Sequence, residues 1–355
     1  MLRLERIGDL VMALPAIRDV RALAPAAEID LVVGSWNAAL AGAAPWVTRV
    51  LTLDAEWLSR DGTGLRLPAL LREARSWRSR KYDLAINFEP DIRSNLLVAA
   101  AGAAWTAGWA SGGGAPVLDL ALDYDSASHT SANARRLVSA VFGRTSEDSS
   151  RVRLALPESA TRAALARLSS LSFAIAKPLV GIHASGGRAI KQWDPERFGA
   201  VGARLADERD AVIVLTGGPG DRPLVDRVKS VLGSRPAIDL SGEMDLLVLA
   251  AVLERLTVFV TGDTGPMHIA SAMGTPVVAV FGPSMPSRYA PTGVLDRIVR
   301  VDLPCSPCNR IRRPPARCVG HTPDCLAGIS ADAVYDAAAA VLDASAARVT
   351  RAGRA

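Results

Sequence analysis

The chain has few of the residues that mark the simpler functional classes. Its 355 residues include four cysteines and four histidines, and aromatic residues make up 5% of the total. It has no stripe of lysine and arginine with interleaved aromatic residues, so a net charge of +5 is too weak to indicate nucleic-acid binding. Such a mild basic bias suits contact with anionic head groups or with phosphorylated substrates.

The sequence also lacks long apolar runs. The longest weakly polar stretch, residues 96–110, contains Gly102, Thr106 and Gly108 and is too short to cross a bilayer. Charges are scattered through the first residues, unlike in a signal peptide. We therefore expect a cytoplasmic protein, for which peripheral contact with the cytoplasmic face of the inner membrane stays open.

Two nucleotide-binding motifs are missing as well. The sequence contains no GxxxxGK[ST] and no GxGxxG after a strand, which disfavours a P-loop ATPase and a dinucleotide-dependent enzyme.

Short β-rich runs alternate with helical patterns in both halves of the chain, which predicts parallel α/β structure. At this length two domains are the default. We predict two doubly wound, Rossmann-like domains at 1–156 and 177–347, joined by a linker helix at 157–176 and followed by a disordered tail at 348–355. Two such sheets facing each other would place a ligand cleft between the carboxyl ends of their strands.

The most informative stretch is Val258–Pro286, VFVTGDTGPMHIASAMGTPVVAVFGPSMP. It reads as a buried strand, a turn that holds Asp263, Thr264 and Gly265, a short helix with His268, and a second buried strand. The unpaired N–H groups and the dipole at a helix start attract anions, so the turn fits a phosphate. An ordinary βα loop with a core histidine explains the same residues.

Three more loops at predicted strand ends in the second half carry polar residues. Glycines allow close backbone approach and cations supply charge, while a carboxylate can accept hydrogen bonds from a ribose. Turn chemistry explains each loop alone, but together they favour a nucleotide-diphosphate site. The residues concerned are Ser185, Arg188 and Lys191 in the first loop, Asp221 in the second, and Glu243 and Met244 in the third.

In the first half, Asp9 follows the first strand and precedes a helix predicted over Val11–Ala24. As a helix cap it needs no function. As a carboxylate at the cleft it would suit a general base for sugar transfer.

Several segments resemble glycosyltransferase family 9, the bacterial ADP-heptose:lipopolysaccharide heptosyltransferases. The most specific is GDTGPMHIASAMGTPVVAVFGPSMP, supported by RIGDLVMALPAIRDVR, IKQWDPERF, YDLAINFEPDIRSNLL, HTSANARRLVSAVFG and DLSGEMDLLVLAAVL. The resemblance runs nearly from end to end. It implies a GT-B fold, with the acceptor in the first domain and the nucleotide sugar in the second, and inverting transfer without an essential metal or cofactor, magnesium being at most stimulatory.

The resemblance also implies roles for individual residues. Asp9 matches the catalytic base, Lys191 the lysine that binds the diphosphate, and Met244 the residue beside the adenine. Ser185 matches a hydroxyl of the family's phosphate loop. The residues that match the family's donor-binding turn are Asp263, Thr264, Gly265 and His268. We place Asp9, Lys191 and His268 in the catalytic set, Asp221 with the donor, and Arg6, Glu89 and Arg93 with the acceptor. Phe88-Glu89-Pro90 departs from the family's more usual Asp/Gln-Gly.

All four cysteines lie in one segment, Cys305, Cys308, Cys318 and Cys325, with His321 among them. The C-x-x-C opening suggests zinc, but the second pair is too widely spaced for a standard zinc ribbon. Free or structural thiols, a metal site and a regulatory role all stay open, and we predict no essential metal.

We expect a GT-B glycosyltransferase that moves a heptose from ADP-heptose to a lipopolysaccharide core or a related saccharide acceptor, which is either lipid-linked or free. Two alternatives stay open. One is an enzyme of the same fold that uses another nucleotide sugar for O-antigen, capsule or secondary-metabolite glycosylation. The other is an inactive nucleotide-sugar-binding protein, against which the presence of both Asp9 and Lys191 argues.

Overall fold

The computed structural model describes residues 1–59, 62–111, 113–148, 152–169 and 177–352, without the side chains of 348–352. The chain divides into two compact units, Met1–Ala155 and Leu156–Ala355. Of the predicted linker and tail, residues 170–176 and 353–355 lie outside the described residues.

The first unit is built on parallel strands with the order of a doubly wound sheet. β1, β2 and β3 pair in the order β3-β2-β1, and β4, β5 and β6 pair in the order β4-β5-β6. A parallel bridge between Leu2 and Asn87 joins β1 to the end of β4, so the full order is 3-2-1-4-5-6. The strands are β1 (Leu2–Arg3), β2 (Asp30–Val33), β3 (Arg49–Thr52), β4 (Leu84–Ile86), β5 (Trp105–Trp109) and β6 (Leu120–Leu122).

The described residues of the first unit form five α-helices, of which α1 packs against α5 and α3 packs against α4. They are α1 (Ile7–Leu23), α2 (Ala38–Gly42), α3 (Leu67–Ser76), α4 (Ile92–Ala100) and α5 (Thr130–Phe142).

The second unit repeats this order in one six-stranded parallel sheet, β12-β11-β10-β7-β8-β9. Its central strands are buried along their whole length, as expected for a parallel sheet covered on both faces. The strands are β7 (Leu179–His183), β8 (Val212–Leu215), β9 (Ala237–Asp239), β10 (Val258–Gly262), β11 (Val277–Val280) and β12 (Arg297–Val299).

Two groups of helices cover this sheet. α7 packs with α8 and α13, and α9 packs with α6 and α10. The helices are α6 (Glu158–Leu168), α7 (Pro195–Arg209), α8 (Arg222–Leu232), α9 (Leu246–Glu254), α10 (Gly265–Met273), α11 (Pro286–Tyr289), α12 (Asp324–Ala327) and α13 (Ala331–Ala352).

In each unit the strand order reverses at one point, between β1 and β4 and between β7 and β10. Ligands of doubly wound sheets bind beyond the carboxyl ends of the strands at such a switch point. The loops that follow these four strands are therefore the places to look for function.

Several elements differ from the sequence prediction. α1 begins at Ile7, four residues before the predicted start, and α13 continues to Ala352, so residues 348–352 of the predicted tail are helical. Helix α6, which forms the described part of the predicted linker, packs against α9 of the second unit. Strand β6 was not predicted, because three residues between polar neighbours give no clear periodicity.

Candidate active site

Two loops of the second unit meet at its switch point. The loop after β7 carries Lys191, and the loop after β10 carries Asp263. Nζ of Lys191 lies 2.6 Å from Oδ2 of Asp263, and the two side chains are 19% and 10% exposed. This ion pair ties the two loops together at a partly open position, where an incoming anion can reach the ammonium group.

Buried neighbours hold Lys191 in place. Ile190 and Trp193 on either side of it are both buried. The Trp193 indole donates a hydrogen bond to the Ile329 carbonyl at 3.2 Å, and its ring packs edge-on against Phe198. Trp193 is thus a core residue that anchors the loop carrying the lysine.

Helix α10 begins at the same place. Thr264 is its N-cap, and its Oγ1 accepts a hydrogen bond from the Met267 N–H at 3.4 Å and lies 3.2 Å from Oγ1 of Thr261. Gly265 is the first helical residue, and His268 follows within the first turn, with its side chain buried. The first N–H groups of a helix have no carbonyl of their own helix to bind, so this end attracts an anion beside Lys191.

The loop after β8 is braced against the loop after β7. The Ser185 hydroxyl donates to Oδ1 of Asp221 at 2.5 Å, and the Gly218 N–H donates to Oδ2 at 2.8 Å. Both oxygens of Asp221 therefore already hold protein donors. Asp221 and Ser185 lie together as predicted, but in a contact that shapes the loops; their roles toward a donor stay predictions.

His183, at the end of β7, has a structural role. Its Nδ1 lies 3.1 Å from both the carbonyl and the hydroxyl oxygen of Thr216. Burial lowers the pKa of His183, although the charge of Asp221 and the hydrogen bond to Thr216 act in the opposite direction. The neutral imidazole thus links the ends of β7 and β8, as expected for a packing histidine.

Met244 lies in the loop after β9, just before α9. Asp245 caps that helix by accepting the Leu247 N–H at 2.7 Å. The Gly242 N–H donates to the Gly217 carbonyl at 2.9 Å, which joins this loop to the loop after β8. All four predicted donor loops thus lie at the carboxyl edge of one sheet, and Met244 is half-buried there.

In the first unit, Asp9 lies in the first turn of α1. It is not the helix cap, because the N-cap position belongs to Arg6, which provides no side-chain capping bond. Nη2 of Arg3 lies 3.2 Å from Oδ1 of Asp9, and Asp9 is 25% exposed. The carboxylate is thus held on one side by a cation at the carboxyl end of β1.

Glu89, which follows β4, is buried beside the same loop. Its Oε1 accepts hydrogen bonds from the N–H groups of Leu4 and Glu5, the latter at 2.7 Å. Burial and the neighbouring Glu5 raise its pKa to about 8, while Arg3 and the backbone N–H groups of Glu5 and Leu4 act in the opposite direction. At 1% exposed, Glu89 supports the Asp9 loop, and its contact with an acceptor stays a prediction.

The other two predicted acceptor residues lie near aromatic rings. The Arg6 guanidinium is 5.6 Å from the centre of the Trp36 ring. Arg93 lies 4.3 Å over the Trp57 ring, and its Nη2 is 2.5 Å from Oδ2 of Asp91. Arg6 is exposed and Arg93 is half-buried, and their contact with an acceptor stays a prediction.

Sequence reasoning did not single out Arg3. The signal was present, since an arginine between Leu2 and Leu4 in a buried strand needs partners for its charge.

The four cysteines are free thiols that follow β12 in the chain, and the last of them, Cys325, lies in α12. Burial raises the pKa of Cys325, and the nearby thiols Cys308 and Cys318 act in the same direction, against a hydrogen bond involving Ser306. Within the described residues, no group of three or more His, Cys, Asp or Glu side chains is arranged to hold a metal ion. Nor does any described helix combine the length and apolar character needed to cross a membrane.

Comparison with known proteins places the chain in a family. The family model "Glycosyltransferase family 9 (heptosyltransferase)" matches residues 70–316. Lipopolysaccharide heptosyltransferase 1 of Pseudomonas aeruginosa is 25% identical over 327 residues, which cover 87% of this chain and 85% of that protein.

Two solved structures show the same fold. A family 9 glycosyl transferase from Veillonella parvula has a TM-score of 0.83 at 24% identity, with 96% of each chain covered. The Escherichia coli heptosyltransferase WaaC, solved with ADP-2-deoxy-2-fluoro heptose, has a TM-score of 0.65 at 20% identity, with 85% of this chain and 92% of that chain covered. The fold is therefore GT-B, as predicted.

Proposed function

This chain belongs to glycosyltransferase family 9, and from that membership we propose that it transfers a heptose from ADP-heptose to a lipopolysaccharide core acceptor. The observation that carries the proposal is the Lys191–Asp263 pair beside the start of α10, at the switch point of the second unit. A cation and a helix N-terminus at this point suit a diphosphate. The WaaC structure supports an ADP-sugar as donor, because its bound ligand is of that class.

In the proposed reaction, Asp9 takes the proton of an acceptor hydroxyl. The hydroxyl oxygen forms a bond to the anomeric carbon as the bond from that carbon to the diphosphate breaks, and ADP leaves with the bonding electrons. A single displacement inverts the anomeric centre. The departing charge would be stabilised by Lys191, His268 and the N–H groups at the start of α10.

We propose that this transfer needs no metal, with magnesium at most stimulatory. Asp263, the carboxylate nearest the proposed diphosphate position, is already engaged by Lys191. Magnesium normally keeps several waters and relies on substrate oxygens, so one paired carboxylate is a poor dedicated site. Lys191 and the helix terminus supply the positive charge that a metal would otherwise bring.

The test is transfer by the purified protein from ADP-heptose to a lipopolysaccharide acceptor lacking heptose, followed by mass spectrometry. UDP-glucose and GDP-mannose serve as competing donors. We expect Asp9→Asn to lower kcat by ~10²–10⁴-fold, because a general base contributes that much. The affinity for ADP, measured by calorimetry, should stay unchanged.

Two results would contradict the proposal. Faster transfer from another nucleotide sugar than from ADP-heptose would refute the donor. Wild-type kcat in Asp9→Asn would remove Asp9 as the base and leave it a residue of the first turn of α1.

A further inference from the structure

Arg3 is a buried cation whose partners all lie at the switch point of the first unit. Its side chain is 3% exposed. Nη1 donates to the Phe88 carbonyl at 2.6 Å, and Nε donates to the Asp9 carbonyl at 3.2 Å. Nη2 lies 3.2 Å from both Oδ1 of Asp9 and Oε2 of Glu5. One guanidinium thus joins the end of β1, the first turn of α1 and the loop after β4.

These contacts fix Asp9 at two atoms, its carbonyl oxygen and Oδ1 of its carboxylate. Over the described part of the chain, Oδ2 of Asp9 has no hydrogen-bond donor. One carboxylate oxygen is therefore fixed, and the other is left for a proton from outside the protein. A reacting group must be held within a fraction of an ångström, so such a clamp affects the rate directly.

We propose that Arg3 is a positioning residue that orients the Asp9 carboxylate toward the acceptor hydroxyl. This inference rests on the proposed function, in which Asp9 is the base. An arginine is needed, because the three nitrogens of its planar guanidinium point in different directions and each makes its own contact. A lysine keeps the charge but has a single nitrogen, so it cannot hold all of these contacts.

Arg3 has a second carboxylate partner besides Asp9. Glu5 lies 3.2 Å from the same guanidinium and shares its charge. Although burial acts to lower the pKa of Arg3, Glu5, Asp9 and Glu89 together raise it, so Arg3 stays charged. The charged guanidinium can therefore hold the orientation of Asp9 through its contacts with the carbonyl and with Oδ1.

The experiment measures kcat, acceptor KM and ADP affinity in Arg3→Lys and Arg3→Met. Turnover is normalised to the folded fraction from tryptophan fluorescence, which reports on the first unit because six of the seven tryptophans lie there. We expect kcat to fall about 10-fold in Arg3→Lys and about 100-fold in Arg3→Met, since misplacement of a reacting group costs roughly that much. Acceptor KM and ADP affinity should change less than about twofold, as expected when only the reacting geometry is lost.

The matched control is Arg18→Lys. Arg18 is 4% exposed, lies on α1 and is paired with Asp19 and Asp148. It is as buried as Arg3 but has no contact with Asp9 among the described residues. The control should lower stability without lowering the normalised kcat.

A double variant, Arg3→Lys with Asp9→Asn, separates positioning from an independent effect. If Arg3 acts through Asp9, the double variant should be no slower than Asp9→Asn alone. If the losses in kcat of the two single variants multiply in the double variant, the inference is wrong. It is also wrong if Arg3→Lys keeps the wild-type kcat while Asp9→Asn is impaired. Wild-type kcat in Asp9→Asn would instead refute the proposed base. If Arg3→Met does not fold, Arg3→Lys alone decides.

Discussion

The buried carboxyl group of Glu89 makes a strong prediction about stability and pH. Burial and Glu5 raise its pKa from an ordinary 4.5 to about 8. Between these values the folded state keeps a proton that the unfolded state has released. The stability provided by that proton is complete below pH 4.5 and is lost as the pH rises through about 8.

Glu89→Gln should remove this dependence. A glutamine keeps the carbonyl oxygen that accepts the Leu4 and Glu5 N–H groups, and it cannot ionise. Across this pH range the folded wild type holds one more proton than the unfolded state. Its free energy of unfolding therefore falls by ~1.4 kcal/mol for each unit that the pH rises. Relative to the wild type, the variant should therefore gain about 2–3 kcal/mol between about pH 5.5 and 7.5.

The assay is urea unfolding followed by tryptophan fluorescence at about pH 5.5, 6.5 and 7.5, all within the window between the two pKa values. Six of the seven tryptophans lie in the first unit, so the signal follows the unit that contains Glu89. Glu28→Gln makes the same chemical change at an exposed residue of that unit and is the control. The quantity to follow is the free energy of unfolding of Glu89→Gln minus that of the wild type. If it does not increase as the pH rises across this range, the reasoning is refuted.

The remaining predictions concern the proposed donor site and the proposed independence from metal. Lys191→Ala should weaken ADP binding by ~1.5–3 kcal/mol in calorimetry, the contribution of a charge-assisted hydrogen bond. Lys177→Ala removes a lysine with an equal 2.6 Å ion pair, to Asp210, and should leave ADP affinity unchanged. His268→Ala should lower kcat more than ADP affinity, because leaving-group charge grows toward the transition state; an equal loss in both would contradict this. EDTA should leave most of the transfer activity, and complete loss restored by Mg²⁺ or Mn²⁺ would overturn the metal-independent mechanism.

The position of the four proposed donor loops was predictable because buried parallel strands read as continuous apolar runs, and their carboxyl ends share one edge of the sheet. The sequence did not predict which side chains meet there. Ser185 and Asp221 are 36 residues apart in the chain, and their contact depends on β7 pairing with β8. Such contacts follow from strand order, which periodicity alone does not fix.

The start of α1 shows a second limit of prediction from the sequence. Asp9 has the side chain of a good N-cap, which favours a helix that begins after it. The structure begins the helix at Ile7 and leaves Arg6 as a cap without a side-chain bond. Tertiary contacts override the local preference here, because the carboxylate of Asp9 is held by Arg3 instead of by its own helix.

Both units place an aspartate and a cation at the switch point, but the two pairs differ in burial. Arg3, 3% exposed, is held by two backbone carbonyl groups as well as by Asp9. Removing it from these partners would leave a buried charge unpaired, so this pair is permanent. Lys191, 19% exposed, meets Asp263 at a partly open position through one flexible ammonium group. An arriving diphosphate can take over part of that contact at small cost. The burial of each cation therefore fits its proposed role, because a buried arginine can hold a base in place and a partly open lysine can accept the charge of a leaving group.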